Sequence, residues 1–131
     1  MILGIVGTKL YENKLNIKTL LWTLKNKFNN DIYIITRGVN TSTDKYVKKY
    51  CIEFEIKYGE CLPYHKNWNN YSIQESFLYN KPYLPKWFFV NNKKFIDYCD
   101  TFVSFGKITE KTDIDLIDKI KKIDKIVKNI R

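Results

Sequence analysis

Residues 2–9, ILGIVGTK, open the chain with an uninterrupted apolar run, 2–6, closed by Gly7. A run with no polar alternation fits a strand covered on both faces, the situation of strands in a mostly parallel sheet. The segments that follow read as the crossovers such a sheet needs. Over residues 15–28, Ile17, Leu20, Leu21, Leu24 and Phe28 recur at helical spacing among lysines and asparagines, predicting an amphipathic helix laid on the sheet. Residues 31–36, DIYIIT, are apolar and β-rich, and Arg37-Gly38 turns the chain out of this second strand. Thr41, Ser42 and Thr43 offer N-cap chemistry to a short second helix in which Tyr46, Val47, Tyr50 and Cys51 share a face. Residues 52–58, IEFEIKY, alternate apolar and polar, which predicts a third strand at the sheet edge.

Between residues 59 and 87 the periodicity breaks. Pro63, Pro82 and Pro85 interrupt a stretch dense in tyrosine and asparagine, with only 72–79 suited to a helical turn or two. Long excursions of this kind are commonly lids or partner-contacting insertions. Regularity returns with a helix over 88–98 and a strand over 101–105 closed by Gly106. Over 113–130, Leu116, Ile120, Ile123, Val127 and Ile130 are spaced four, three, four and three apart, with aspartates early and basic residues late. That pattern predicts one long terminal helix aligned with its dipole. Its stripe either covers the sheet or pairs with another subunit.

Together these elements predict an α/β chain: a Rossmann-like, open, mostly parallel sheet with helices on both faces, a single domain over 1–131 with an aromatic-rich insertion. In such sheets the ligand crevice lies outside the carboxyl ends of the strands, where strand order reverses. The bulk numbers agree with a packed domain, since 44% of the 131 residues are hydrophobic and 16% aromatic. No apolar run approaches the roughly 18 residues of a membrane span, and the amino end lacks the basic lead and long apolar stretch of a secretory signal. A cytoplasmic protein without membrane contact is therefore expected. Cys51, Cys61 and Cys99 form no CxxC pair, which points to idle buried thiols and to neither a disulfide framework nor a zinc ribbon.

The net charge of +9 favours anionic partners. Of 23 basic residues, however, only Arg37 and Arg131 are not lysine, a bias an AT-rich genome, including that of a virus or mobile element, produces by itself. Four strand-end or loop stretches carry chemistry: Gly7-Thr8-Lys9, RGVNTST from Arg37 to Thr43, PYHKNW from Pro63 to Trp68, and GKITEKT from Gly106 to Thr112. At such turns a glycine admits a ligand to the backbone, and amides with hydroxyls such as that of Thr41 hold an anion. Lys9, Arg37 and Lys107 would converge on that anion in one cleft. Because Arg37 stands at a loop, its loss is expected to weaken binding and spare the fold. His65 has no second His or Cys at ligand spacing, so no metal is implied.

In order along the chain these stretches resemble the SLOG superfamily, which includes DprA-type DNA-processing proteins, lonely-guy phosphoribohydrolases and small YspA-like stand-alone domains. The likeness is closest to the stand-alone group, whose pattern runs approximately GSR, GGARGxD, PxW, RNxxM and GxSxGT. Gly7, Thr8 and Lys9 stand at GSR, and Arg37, Gly38 and Val39 match the RGA or RGV, with Asn40 where an acid is usual. Pro63 and Trp68 stand at the Pro and Trp, and Asn92 and Asp100 at the Asn and Asp around the following helix. Gly106, Lys107, Thr109 and Thr112 follow GxSxGT. Two departures are plain: Ile34 and Ile35 replace the paired glycines, and Lys111 replaces the second glycine of the last motif.

The resemblance implies binding of a nucleotide or nucleotide-derived signal, as sensor or sequestering protein, with no cofactor. Its ligand-binding residues would be Gly7, Thr8, Lys9, Arg37, Gly38, Asn40, Thr41, Trp68, Asn92, Gly106, Lys107, Thr109 and Thr112. Two alternatives stay open. One is a hydrolase of an N-glycosidic or phosphoribosyl bond, although GKITEKTDID lacks the glycine pair and glutamate of the phosphoribohydrolase signature. The other is a DprA-like single-stranded DNA binder, for which Tyr64, Trp68, Tyr71, Tyr79, Tyr83, Trp87, Phe88 and Phe89 among lysines would stack bases. The same aromatics equally suit packing or an oligomer contact. The expected partners are thus a nucleotide-like small molecule, further copies of the chain as a dimer or larger, and weakly bound nucleic acid.

Overall fold

A computed structural model describes residues 1–7, 11–38 and 41–130. Its elements run β1 (Ile2–Gly7), α1 (Lys14–Phe28), β2 (Tyr33–Thr36), α2 (Ser42–Glu53), β3 (Lys57–Glu60), a single 3-10 turn at Ser76–Leu78, α3 (Lys86–Tyr98), β4 (Thr101–Phe105), α4 (Lys111–Lys122) and β5 (Val127–Ile130). The five strands form one sheet in the order β3-β2-β1-β4-β5, every pair parallel. This is the order of a Rossmann sheet without its sixth strand, and its direction reverses between β1 and β4.

The two-residue period of β1 sorts its side chains between two cores. Leu3 and Ile5 pack with Ile17 and Leu21 of α1 and Val47, Tyr50 and Cys51 of α2. Val6 packs on the other face with Phe95 and Ile96 of α3 and Leu116 and Ile120 of α4. On that face Gly4 has no side chain because Phe95 and Phe102 occupy the space, 2.7 and 2.8 Å from where a Cβ would stand. The continuous apolar run at the start of the chain is thus a strand covered on both sides.

Two expected boundaries are corrected, and for one reason. The edge strand expected over 52–58 is β3, Lys57–Glu60, and α2 runs on to Glu53. The single helix expected over 113–130 is α4, ending at Lys122, followed by the strand β5. At the end of α2 the Glu55 amide donates to the Ile52 carbonyl and the Ile56 amide to the Cys51 carbonyl, 3.3 and 2.8 Å, with Glu55 at φ 57°. These are the paired bonds of a Schellman end. Asp124 at φ 59° also ends α4 in the left-handed conformation, its amide donating to the Lys121 carbonyl. Glycine usually marks such a stop; here acidic residues take the left-handed conformation, so the sequence carries no signal of it.

The stretch between β3 and α3 folds back on the sheet. Glu60 and Ser72 form a parallel bridge, so the chain near residue 72 shields the outer edge of β3. Its aromatics pack on one another and on the flanking elements: Tyr64 on Tyr79 and on Trp87 of α3, His65 on Tyr83 and on Phe88 of α3, Tyr71 on Tyr58 of β3. Cys51, Cys61 and Cys99 are free and buried, and burial pushes the thiols of Cys51 and Cys61 up to about 12. No helix among the described residues is long and apolar enough to cross a membrane.

Candidate functional site

Arg37 leaves the end of β2 and turns inward. It is 6% exposed. Its Nη1 donates to Asn92 Oδ1 at 3.1 Å, and its Nη2 pairs with Asp113 Oδ1 in the first turn of α4. Asn92, fully buried on α3, donates in turn to the Thr112 carbonyl at 2.8 Å. Three residues singled out from separate stretches therefore do meet, through hydrogen bonds to one another. The expectation that Arg37 is a loop group whose loss spares the fold is corrected: its guanidinium ties β2 to α3 and α4 from inside.

Beside this network the carboxyl ends of β2 and β3, the first turns of α2 and the loop after β3 border an open cleft of about 300 Å³. Its lining is charged. Lys45, Lys48 and Lys66 bring positive charge, Asp44 and Glu60 carboxyl groups, Asn67 and Asn69 amides, and Gly38 and Leu62 the nonpolar wall. Gly38 sits at φ 64°, and a Cβ there would stand 2.2 Å from Leu62 Cδ2, so a larger residue would be strained and would have to displace the Leu62 side chain.

The two carboxyl groups differ in environment. Glu60 Oε2 accepts from Tyr58 at 2.7 Å and Oε1 from Asn69 at 2.7 Å, and the Lys48 ammonium lies 4.0 Å away. The Tyr58 hydroxyl also meets Thr36 Oγ1 at 2.9 Å, which accepts from the Gly38 amide at 3.2 Å. A continuous polar chain therefore links the edge of the cleft to its glycine wall. Asp44 is 6% exposed, and its Oδ2 has no hydrogen-bond partner among the described residues. Burial pushes its carboxyl up to about 7; Arg37 and the Thr41 hydroxyl oppose the shift, and the charges of Glu60 and Asp113 add to it. Thr41 caps α2 by accepting from the Asp44 amide at 3.1 Å.

Of the residues expected at the site, Gly38 lines this cleft and Thr41 caps the helix behind it. Gly7 ends β1 against Thr43, whose Cβ is 2.0 Å from where a glycine Cβ would stand. Lys107 is exposed and lines a different hollow with Gly106, Ser104, Ile117 and Asn129. That hollow, between β4, β5 and α4, does not include Arg37, so the expected shared cleft for Arg37 and Lys107 is corrected. Gly106 is bound into it, its amide donating to the Ile130 carbonyl at 2.8 Å. Thr109 is exposed and Trp68 is 45% exposed on its loop. Thr8, Lys9, Val39 and Asn40 lie outside the described residues.

Sequence reasoning missed Asp44, Lys48, Glu60 and Asn69. Glu60 was hidden by the displaced strand: once β3 ends at Glu60, that residue stands at a strand's carboxyl end. Among the described residues no three His, Cys, Asp or Glu side chains gather as a metal site would require.

No protein-family model matches the chain, and no curated protein matches it. Among solved structures, the X-ray structure of TM1055, a structural-genomics target, superposes with a TM-score of 0.67 at 16% identity, covering 96% of this chain and 71% of TM1055. At that identity the likeness establishes the Rossmann-like fold.

Proposed function

We propose that this chain is a SLOG-like domain that holds a nucleotide or nucleotide-derived ligand at the carboxyl ends of its strands, as a sensor or sequestering protein. The observation that carries the reading is the charged cleft over β2 and β3, which opens at the carboxyl ends of the strands, the side on which open α/β folds bind ligands, one strand over from the β1–β4 reversal. Three lysines line the cleft together with Asp44, one of whose carboxyl oxygens is buried with no hydrogen-bond partner among the described residues. Lys45 and Lys66 have no carboxylate partner among the described residues, which leaves their charge for an anion. The motifs from RGV to GKIT supply the likeness to SLOG proteins, and the parallel five-stranded sheet is compatible with it.

Native mass spectrometry on freshly purified protein tests this reading. Retention of a nucleotide-sized mass, released on denaturation and identified by its fragments, is the expected result. Protein that carries no such mass and shows no calorimetric response to a panel of mono-, di- and cyclic nucleotides overturns it. Release of free base from a bound nucleotide would instead move the assignment to an N-glycosidic hydrolase.

A further inference from the structure

We infer that the groove between α1 and the end of α2 docks an acidic peptide segment of a partner protein, with apolar anchor side chains held between Leu15, Trp22 and Phe54 and carboxylates met by Lys14, Lys18 and Lys49. The helix α1 is apolar on two sides. Ile17 and Leu21 pack into the core, whereas Leu15 and Trp22, two turns apart on the other side, are 67% and 53% exposed. With Lys18, Thr19, Glu53 and Phe54 they line an open groove of about 410 Å³, and none of the six lines the cleft over β2 and β3. The Trp22 and Phe54 rings meet edge-on with their centroids 5.1 Å apart, and Phe54 stacks in turn on the buried Tyr50 at 5.9 Å. Packing therefore fixes this aromatic wall in advance, so a partner meets a surface that needs little ordering.

Charge selects the occupant. The helix α1 carries Lys14, Lys18, Lys25 and Lys27 and no Asp or Glu. The Lys18 and Lys49 ammonium groups both lie over the Tyr50 ring, 5.7 and 5.5 Å from its centre, which gathers a lysine from each helix beside the groove, and Lys14 stands one turn before Lys18. Among the described residues none of these lysines makes an ion pair, and Glu53 is the one carboxylate of the lining. An apolar floor beside unpaired ammonium groups complements a segment in which carboxylates flank large apolar side chains. A second copy would set these lysines against their own images on chains of net charge +9, a like-charge juxtaposition that opposes pairing. A bilayer takes up the apolar face of a helix lying flat in its surface; here Leu15 and Trp22 border a hollow, the shape that receives inserted side chains.

Selection of random dodecapeptides displayed on phage against the full chain tests this, with synthetic copies of the selected peptides titrated by fluorescence anisotropy. The expected peptides are rich in Asp and Glu around Leu, Phe or Trp, and they bind more weakly as salt rises. Lys18→Glu with Lys49→Glu and, separately, Leu15→Glu should each weaken them by about tenfold or more. Lys93→Glu with Lys94→Glu, exposed on α3 across the sheet, changes the net charge by the same amount as the first pair and should leave binding unchanged. Leu15 is exposed in the first turn of α1, where a glutamate suits the helix dipole, so that variant keeps its fold even if the lysine pair does not. No selected binder, selected peptides without acidic bias, or binding that neither groove variant alters overturns the proposal. So does cosedimentation with vesicles of three parts phosphatidylcholine to one part phosphatidylserine, or a dimer seen by light scattering, if Leu15→Glu abolishes it, because either names a different occupant of the groove.

Discussion

Arg37→Met removes a buried cation and leaves its partners in place. Asp113 is 5% exposed and would keep a carboxylate with its guanidinium gone, and Asn92 Oδ1 would lose its donor inside a fully buried residue. Arg37 is also the positive charge that opposes the upward shift of Asp44, so its loss further destabilises any charge on that carboxyl. Breaking a buried pair by removing one partner costs about 3–5 kcal/mol. At about 2.1 cal/mol/K of unfolding entropy per residue, the 131 residues carry about 0.28 kcal/mol/K, so the melting temperature should fall by about 11–18 °C. Urea unfolding followed by the fluorescence of Trp22, Trp68 and Trp87 measures the loss. Arg37→Met combined with Asp113→Leu should recover most of it, because a buried pair replaced by apolar groups is often near neutral. A single-variant loss below about 1 kcal/mol, or losses that simply add in the double variant, would refute the reasoning.

The Asp44 carboxyl, at about 7 in the folded chain against 3.8 unfolded, keeps its proton between those values while the unfolded chain has lost it. It therefore lowers stability as pH rises from about 4 to 7, by up to about 1.4 kcal/mol per unit. Asp44→Asn should flatten that part of the urea-midpoint profile and be the more stable protein at pH 8; a wild-type-minus-variant difference independent of pH would count against it. Gly7→Ala should cost about 1–3 kcal/mol, because the new methyl meets Thr43 at 2.0 Å, and an unchanged thermal midpoint would contradict that contact. Glu55→Gly should raise stability by about 0.5–1 kcal/mol, since glycine adopts the left-handed φ of 57° without the steric cost a side chain brings; a loss in the same denaturation assay would show that the Glu55 side chain contributes more than the turn. For nucleic acid, weak binding to short single strands is expected, measured by anisotropy against salt. Micromolar binding at physiological salt with a log-log slope near 0.7 per phosphate, lost in Trp68→Ala with Tyr71→Ala, would favour the DNA-binding alternative.

By itself the sequence determined the fold class. The apolar run of 2–6, the helical period of 15–28 and the strand of 101–105 are local patterns, each set by which side chains must face away from water. Most of what it left ambiguous lay where burial is thin. β5 is an edge strand whose Lys128 and Asn129 are exposed, so its Val127 and Ile130 continue the helical spacing of α4 as readily as they alternate. Only pairing with β4 and the left-handed turn at Asp124 decide between the two. The candidate site depended still more on the tertiary structure. Arg37 meets Asn92 across 55 residues and Asp113 across 76, and Asp44 faces Glu60 only because α2 is longer and β3 later than their own residues indicate. Local sequence sets which faces are apolar; whether a charged side chain ends in solvent, in an ion pair or beside an empty acceptor depends on what distant strands and helices bring against it.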